Sequence, residues 1–282
     1  MTLTNIAAMD ATQQSNTINR LMGSSLEKLT TGYRINKASD DASGLAIADK
    51  LRTQSTSLTQ ATANGNSAVA LLDITDGALD NQGEILDEIK GKLVQAADAT
   101  TSDEGREAIR KDINKLLTQI DNIANGTNYN GIQLLQQGTT TDGDATESLT
   151  FQMGETAAST ISTDGGIQAN SKGLGLDGLR DLAVDGLTQE EASNSLALLD
   201  DAITKLDGWR GDVGSSRNQI TSSIDNLMQT TTNLQAAESV IRDVDYEAET
   251  ANYNKLNIQA QAGSYAISQA NAQQQNILAL FR

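Results

Sequence analysis

The sequence predicts a mainly α fold in which long antiparallel helices pack as a coiled coil or bundle, with a small β-hairpin region near residues 128–186. Three observations carry this expectation. None of the 282 residues is proline, where average usage would supply about 14 at roughly 5%, so no helix meets the residue that breaks helices. Apolar side chains recur at alternating spacings of four and three over two long stretches. Residues 128–186 lose that period and are rich in Gly, Thr, Ser and Asp.

Taken in chain order, the first element is an amphipathic N-terminal helix with Ile18, Leu21, Met22 and Leu29 on one face. A long heptad seam follows: Ile47, Leu51, Gln54, Leu58, Ala61, Gly65, Ala68, Leu72, Thr75, Leu79, Gln82, Leu86, Ile89, Leu93 and Ala96, apolar at 11 of 15 positions. At its start, Asp40 and Asp41 are placed to cap free backbone N–H groups. A shorter series, Ile109, Ile113, Leu116, Ile120 and Ile123, gives a third helix that ends at the turn-like Asn125-Gly126. Ser148 to Met153 alternates polar and apolar, Gly154 interrupts, and Thr160-Ile161-Ser162 follows, which is the pattern of a hairpin.

The second long seam runs Leu199, Ile203, Leu206, Arg210, Val213, Arg217, Ile220, Ile224, Leu227, Thr231, Leu234, Glu238 and Ile241, apolar at 9 of 13 positions. Each seam implies a helix roughly 65–75 Å long. Arg210 and Arg217 sit inside the seam, where they either pair with carboxylates across the bundle and fix its register or snorkel to water. The C-terminus repeats the period as Leu256, Ala260, Gly263, Ile267, Ala270, Gln274, Ile277 and Phe281.

Charge divides the chain in three. Lys plus Arg number 20 against 37 Asp plus Glu, a net of −17, yet residues 1–35 carry +1 and residues 250–282 carry +2, leaving −20 in the middle. So acidic a chain does not suit nucleic acid or an anionic membrane. Apolar stripes that run to both ends need each other or a second subunit to cover them. That selects Ile18, Leu21, Met22, Leu29, Leu256, Ile267, Ile277 and Phe281 as candidate polymerisation residues.

Histidine and cysteine are absent, which removes disulfides, Cys/His zinc sites, a His general base and a thiol nucleophile. The expectation is a protein that is not an enzyme and takes no cofactor or metal. No apolar run approaches the roughly 18 residues of a membrane span. Met1 to Asn19 has no basic residue and no apolar h-region, so no cleaved signal peptide is expected. Gly173, Gly175 and Gly178 spell G-x-G-x-x-G without a preceding strand, and read as turn glycines. Asp243, Asp245, Glu247 and Glu249 lack the glycine-centred loop of an EF-hand and read as a solvated or salt-bridged joint. Asn125-Gly126-Thr127 is formally an N-glycosylation acceptor and is read as coincidence.

Three segments carry a family resemblance: Gly32-Tyr33-Arg34-Ile35-Asn36 followed by Ser39-Asp40-Asp41-Ala42-Ser43-Gly44-Leu45-Ala46-Ile47-Ala48; Asn130-Gly131-Ile132-Gln133-Leu134-Leu135; and Ala237-Glu238-Ser239-Val240-Ile241-Arg242-Asp243-Val244-Asp245, leading to a Gln-rich end with Leu278 and Leu280. The chain resembles bacterial flagellin over about residues 1–135 and 190–282, in a short form without large outer domains. The resemblance implies an exported structural subunit that polymerises into the flagellar filament for swimming; the alternative is a hook-filament junction protein of the same appendage. It implies an inner, tube-forming domain of residues 1–42 and 244–282. Residues 43–243 would form an outer helical domain, with a surface region at about 128–186.

It also implies type III export to the cell exterior and, as partners, other copies of the chain, an export chaperone, the filament cap and hook-filament junction proteins. Inserted protease domains of a few members would need H-E-x-x-H, which a chain without histidine lacks. Thr139, Thr140, Thr141, Ser148, Ser159, Ser162 and Thr163 become candidate sites for O-linked sugars. Stimulatory flagellins resemble one another in presenting an arginine, a leucine four residues on, and an acid on the next helix to an animal Toll-like receptor. Here Glu88 and Lys92 fall at the first two positions and Asp112 keeps the acid, so weak receptor recognition is expected. Glu88 and Lys92 also have the spacing of an i, i+4 ion pair.

Overall fold

The computed structural model of the chain describes residues 5–138, 143–180 and 187–280. Among them are five long helices, α1 (Ile6–Thr31), α2 (Ala42–Ala97), α3 (Asp103–Gly126), α4 (Gln189–Arg242) and α5 (Tyr246–Leu280). Two antiparallel pairs lie between α3 and α4: β1 (Asn128–Tyr129) with β2 (Ile132–Gln133), and β3 (Thr150–Gln152) with β4 (Thr160–Ser162). The chain divides into two compact units, residues 1–55 with 232–282, and residues 56–231. Those divisions fall inside α2 and α4, whereas the helix breaks themselves lie near the expected boundaries at 42–43 and 243–244.

In the first unit α1 and α5 pair antiparallel in one register. Asn5 Nδ2 donates to the Ala270 carbonyl at 3.1 Å, Ser25 Oγ donates to Glu249, and the Val244 N–H donates to the Gly32 carbonyl at 2.9 Å. Small residues set the spacing: a Cβ on Gly263 would lie 3.9 Å from Ser15 Cβ. Asn5 also caps α1, accepting from the Ala8 N–H at 3.1 Å. Asp41 caps α2 through the Gly44 N–H at 2.8 Å. Asp40 instead folds the preceding loop: the Asn36 and Lys37 N–H groups both donate to it at 3.0 Å and hold its carboxyl below the usual carboxylate range.

Gly32 ends α1 in the left-handed region, at φ 77°, where glycine avoids the Cβ penalty. Tyr33 bridges to Asp243, and the Arg242 guanidinium lies 4.2 Å over the Tyr33 ring. A Cβ on Gly32 would come within 2.8 Å of Tyr246 Oη. Gly32→Ala is therefore expected to destabilise the first unit by about 1–2 kcal/mol, combining left-handed strain with displacement of Tyr246. Gly23→Ala, at a mid-helix site with nothing within 4 Å, is expected to shift stability the other way by about 0.5–1 kcal/mol. Chemical denaturation followed by circular dichroism checks both signs.

The second unit is built on α2 and α4. Gly65 faces Ile224, Asp73 faces Arg217, Gly83 faces Leu206 and Lys90 faces Asp200, so this antiparallel register is also constant. Every seam position from Leu58 to Ala96 is buried. Upstream of them burial moves to Gly44, Ala48 and Ser55, and Ile47 is exposed. Likewise α3 buries Leu117 and Ala124 rather than Leu116 and Ile123, and α4 buries Ala202 rather than Ile203. The cause is geometric: an α-helix drifts about 20° per heptad against a 3.5-residue repeat, so one strict series leaves the buried face.

Arg210 pairs across the bundle with Asp76 at 3.2 Å and Asp80 at 2.9 Å, and Arg217 pairs with Asp73 at 2.5 Å. Half-exposed pairs of this kind contribute at most about 1 kcal/mol each, so their effect is on register more than stability.

Buried polar side chains fasten the loop layer of residues 133–180 to α2 and α3. Gln82, fully buried in the seam, donates to the Ile120 carbonyl at 3.1 Å and the Ala169 carbonyl at 2.7 Å. Asp121, also fully buried, accepts from the Ser171 N–H at 2.8 Å and from Arg180 at 2.5 Å. The β1–β2 turn is Asn130-Gly131, both at positive φ, as a type I′ hairpin turn requires. β3 and β4 pair Thr150 with Ser162 and Phe151 with Ile161. Gly173 and Gly175 lie in a turn over residues 171–175 beside buried Leu174 and Leu176, and Gly178 lies exposed in the helical stretch that follows; a Cβ on Gly173 would overlap the Gln168 carbonyl. Thr188 and Glu191 form a reciprocal capping box at the start of α4, and the Thr188 N–H holds the Glu191 carboxyl below its usual range.

Candidate assembly surface

One face of α1 is spent on α5. Ile18, Ser25 and Leu256 are buried within the first unit, and Met22, Leu29 and Ile267 are half-buried. Leu21, from the same candidate set, is 52% exposed. Ile277 lies in α5 with its side chain outside the description, and Phe281 lies outside the described residues.

Other apolar side chains remain uncovered in the single chain. On α1 these are Met9, Leu21 and Leu26, which point in different directions; on α5, Ile258 at 67% exposure and Tyr265 at 73% lie seven residues apart on one face. Lys255 is the only charged residue between 250 and 280, so almost no charge solvates that helix. Sequence reasoning missed Met9, Leu26, Ile258 and Tyr265 because it followed one stripe per helix. The available signal was apolar residues falling off the 256/260/263/267 series, which means a helix with two packing faces.

The carboxylates of the joint are committed to local structure. Asp245 caps α5 through the Glu247 N–H at 3.0 Å and the Ala248 N–H at 3.1 Å, Asp243 takes the Ser239 hydroxyl, and Glu249 takes Ser25. Among the described residues, no group of three or more His, Cys, Asp or Glu is arranged to hold a metal. Nor is any described helix long and apolar enough to cross a membrane.

Lys92 turns to Asp112 on α3, with Nζ 3.1 Å from Oδ2, and not to Glu88. That replaces the i, i+4 pair expected from spacing and leaves Glu88 exposed on α2. In the hairpin region the Thr163 hydroxyl is engaged with Leu149 and the Ser159 hydroxyl with Thr156, while Ser148 and Ser162 stand exposed. Thr139, Thr140 and Thr141 lie outside the described residues. Thr127 hydrogen-bonds back to the Ile123 carbonyl at 2.7 Å, closing the end of α3 at the formal glycosylation acceptor.

Comparison with known proteins matches residues 2–140 to the bacterial flagellin N-terminal helical region and residues 196–281 to the bacterial flagellin C-terminal helical region. A flagellin of Bacillus subtilis is 34% identical over 300 aligned positions, covering 99% of this chain and 98% of that protein. The flagellar filament 30.7 kDa core protein of Treponema maltophilum is 33% identical, with 98% of each chain covered. Among solved structures, a putative flagellar hook-associated protein of Vibrio parahaemolyticus superposes with a TM-score of 0.62 over 72% of this chain and 99% of that one. At 15% identity this last likeness speaks for the fold alone.

Proposed function

The chain belongs to the bacterial flagellin family and is a structural subunit of the flagellar filament, an extracellular appendage; from that premise we propose that α1 and α5 together are its polymerisation element. In this reading residues 1–42 and 244–282 form the inner, tube-lining layer, residues 43–243 form the next layer, and the region 128–186 faces outward. The subunit works by self-association and needs no catalytic step. It leaves the cell by the flagellar type III route, with a chaperone on its C-terminal segment. The filament cap and hook-filament junction proteins meet the two ends of the polymer. A junction protein is the weaker reading, because relatives matched over 98% of their length are named as filament proteins.

The observation that supports the polymerisation element is the exposure of Leu21, Ile258 and Tyr265 after α1 and α5 have paired. These exposed sites separate assembly from folding. Leu21→Asp and Tyr265→Asp are each expected to raise the critical concentration for seeded polymerisation at least roughly tenfold, since fully burying such a side chain contributes about 1.5–3 kcal/mol. Melting of the monomer should stay unchanged. Sedimentation of seeded mixtures checks this, and an unaltered critical concentration in both variants would remove the assignment.

Two surface properties extend the proposal. Glu88, Lys92 and Asp112 make the chain a weak ligand of the animal flagellin receptor. O-linked sugars, where the cell adds them, go on Ser148 and Ser162; the intact mass of protein from native filaments, against 29.8 kDa for the bare chain, reads this directly, and a bare mass ends the idea.

A further inference from the structure

The dipeptide Asn-Gly occurs three times in the chain, at Asn64-Gly65, Asn125-Gly126 and Asn130-Gly131. In each, the backbone nitrogen of the glycine can attack the asparagine side-chain carbon, and glycine puts no Cβ in its way. By sequence the three are equivalent. The fold separates them.

Asn64-Gly65 lies inside α2, where the Gly65 N–H belongs to the helical ladder. The Asn64 amide is held as well: its Oδ1 accepts from Gln60 at 3.0 Å and its Nδ2 donates to the Gln152 carbonyl at 3.4 Å. Asn125-Gly126 forms the last turn of α3, which the Thr127 N–H and hydroxyl close on the Ile123 carbonyl at 3.0 and 2.7 Å. Both asparagines are thus held in helical backbone, with ψ about −42°, which keeps the next nitrogen out of line with the side-chain carbon.

Asn130-Gly131 differs in each respect. It is the exposed two-residue turn between β1 and β2, and among the described residues no hydrogen bond holds the Asn130 amide. Asn130 sits at φ 50° and Gly131 at φ 83°. A type I′ turn becomes type II′ when the one peptide plane between its central residues flips: φ of the first stays positive, its ψ goes to about −120°, and φ of the second turns negative. Glycine takes the second position in either form at no steric cost. For an L residue, ψ of about −120° brings the next nitrogen beside Cβ, the arrangement that closure of a five-membered ring through the side-chain carbon requires.

We propose that Asn130 is the asparagine of this chain that deamidates first, spontaneously and through this flip of its turn. The Gly131 N–H gives its proton to hydroxide or a buffer base, and the nitrogen attacks Asn130 Cγ. A new N–C bond forms, the Cγ–Nδ2 bond breaks, and ammonia leaves with a proton taken from water. Water then opens the resulting succinimide at either carbonyl, giving aspartate or isoaspartate, with no change of oxidation state. Either product adds a carboxylate to the turn. Isoaspartate also lengthens the backbone by one carbon, and since loop length sets hairpin register, the pairing of Tyr129 with Ile132 is lost.

The full-length protein is held in mildly alkaline buffer, native and in parallel in guanidinium chloride, and samples are digested over time. Asn125 and Asn130 share the tryptic peptide 116–172, so electron-transfer fragmentation assigns each mass gain to its residue and separates isoaspartate from aspartate. In the native protein Asn130 is expected to react at least roughly tenfold faster than Asn64 and Asn125, whose helices must open first, and to give isoaspartate among its products. In denaturant the three rates converge. Gly131→Ala crowds the attacking nitrogen and disfavours positive φ; it should slow Asn130 at least roughly tenfold, while unchanged rates at Asn64 and Asn125 report that the helices stay folded. The proposal is overturned if Asn64 or Asn125 reacts as fast as Asn130 in the native protein, if Asn130 yields aspartate alone, or if Gly131→Ala leaves its rate unchanged.

Discussion

A chain lacking residues 250–282 is expected to stay unpolymerised where the full chain extends filament seeds, while the unit 56–231 keeps its helices and its melting behaviour. The deletion acts on two faces at once. It removes Leu256, Gly263 and Ile267, which cover α1, and Ile258 and Tyr265, which α1 does not cover. Burial of the last two alone, at about 1.5–3 kcal/mol each, corresponds to roughly 10²–10⁴-fold in critical concentration. Deprived of its partner, the 26-residue α1 loses helicity as well, because most helical stability in proteins comes from packing of an amphipathic face and not from propensity. The expected signature is a partial loss of helical circular dichroism, an unchanged transition for the second unit, and no sedimenting polymer. A truncated chain that still polymerised would show that assembly runs through another surface.

Glu88→Arg combined with Lys92→Leu is expected to raise activation of the animal flagellin receptor by about 30- to 10⁴-fold in a reporter assay with depolymerised protein, at about 1–3 kcal/mol per restored contact of a binding hot spot. The double change does more than fill two positions. Lys92 holds Asp112 at 3.1 Å, so its removal also releases that carboxylate from its shorter ion pair and leaves it only Lys115 at 3.9 Å. The Lys92–Asp112 pair is partly exposed and contributes at most about 1 kcal/mol to folding, so the variant remains folded. Potency of the unaltered protein equal to that of a strongly stimulatory flagellin would defeat this reading, as would a double variant no more active than its parent.

What the sequence made legible follows from how many neighbours each element has. Leu58 to Ala96 shares one constant register with α4, and there a single apolar series marks the buried positions throughout. Ile47, Leu116 and Ile203 were misplaced because the strict repeat drifts around the helix, which only the partner's position corrects. α1 and α5 carry two packing faces, so a search for one stripe found Ile18 and Leu256 and passed over Ile258 and Tyr265. The hairpin at Thr150 and Thr160 showed its alternation. β1–β2 is too short to alternate, and its signal was the Asn130-Gly131 turn.

The attachment of the loop layer was not legible at all. Gln82 stood in the seam with no visible partner and nothing in the sequence marked Asp121 or Asn170, yet each is fully buried by partners far away in sequence.

The structure of the assembled filament by electron cryomicroscopy tests the central claim most directly. The account predicts α1 and α5 as the innermost wall, with Leu21, Ile258 and Tyr265 buried between subunits and the region 128–186 on the outer surface. A filament in which those three side chains face solvent, or in which residues 56–231 line the tube, would contradict it.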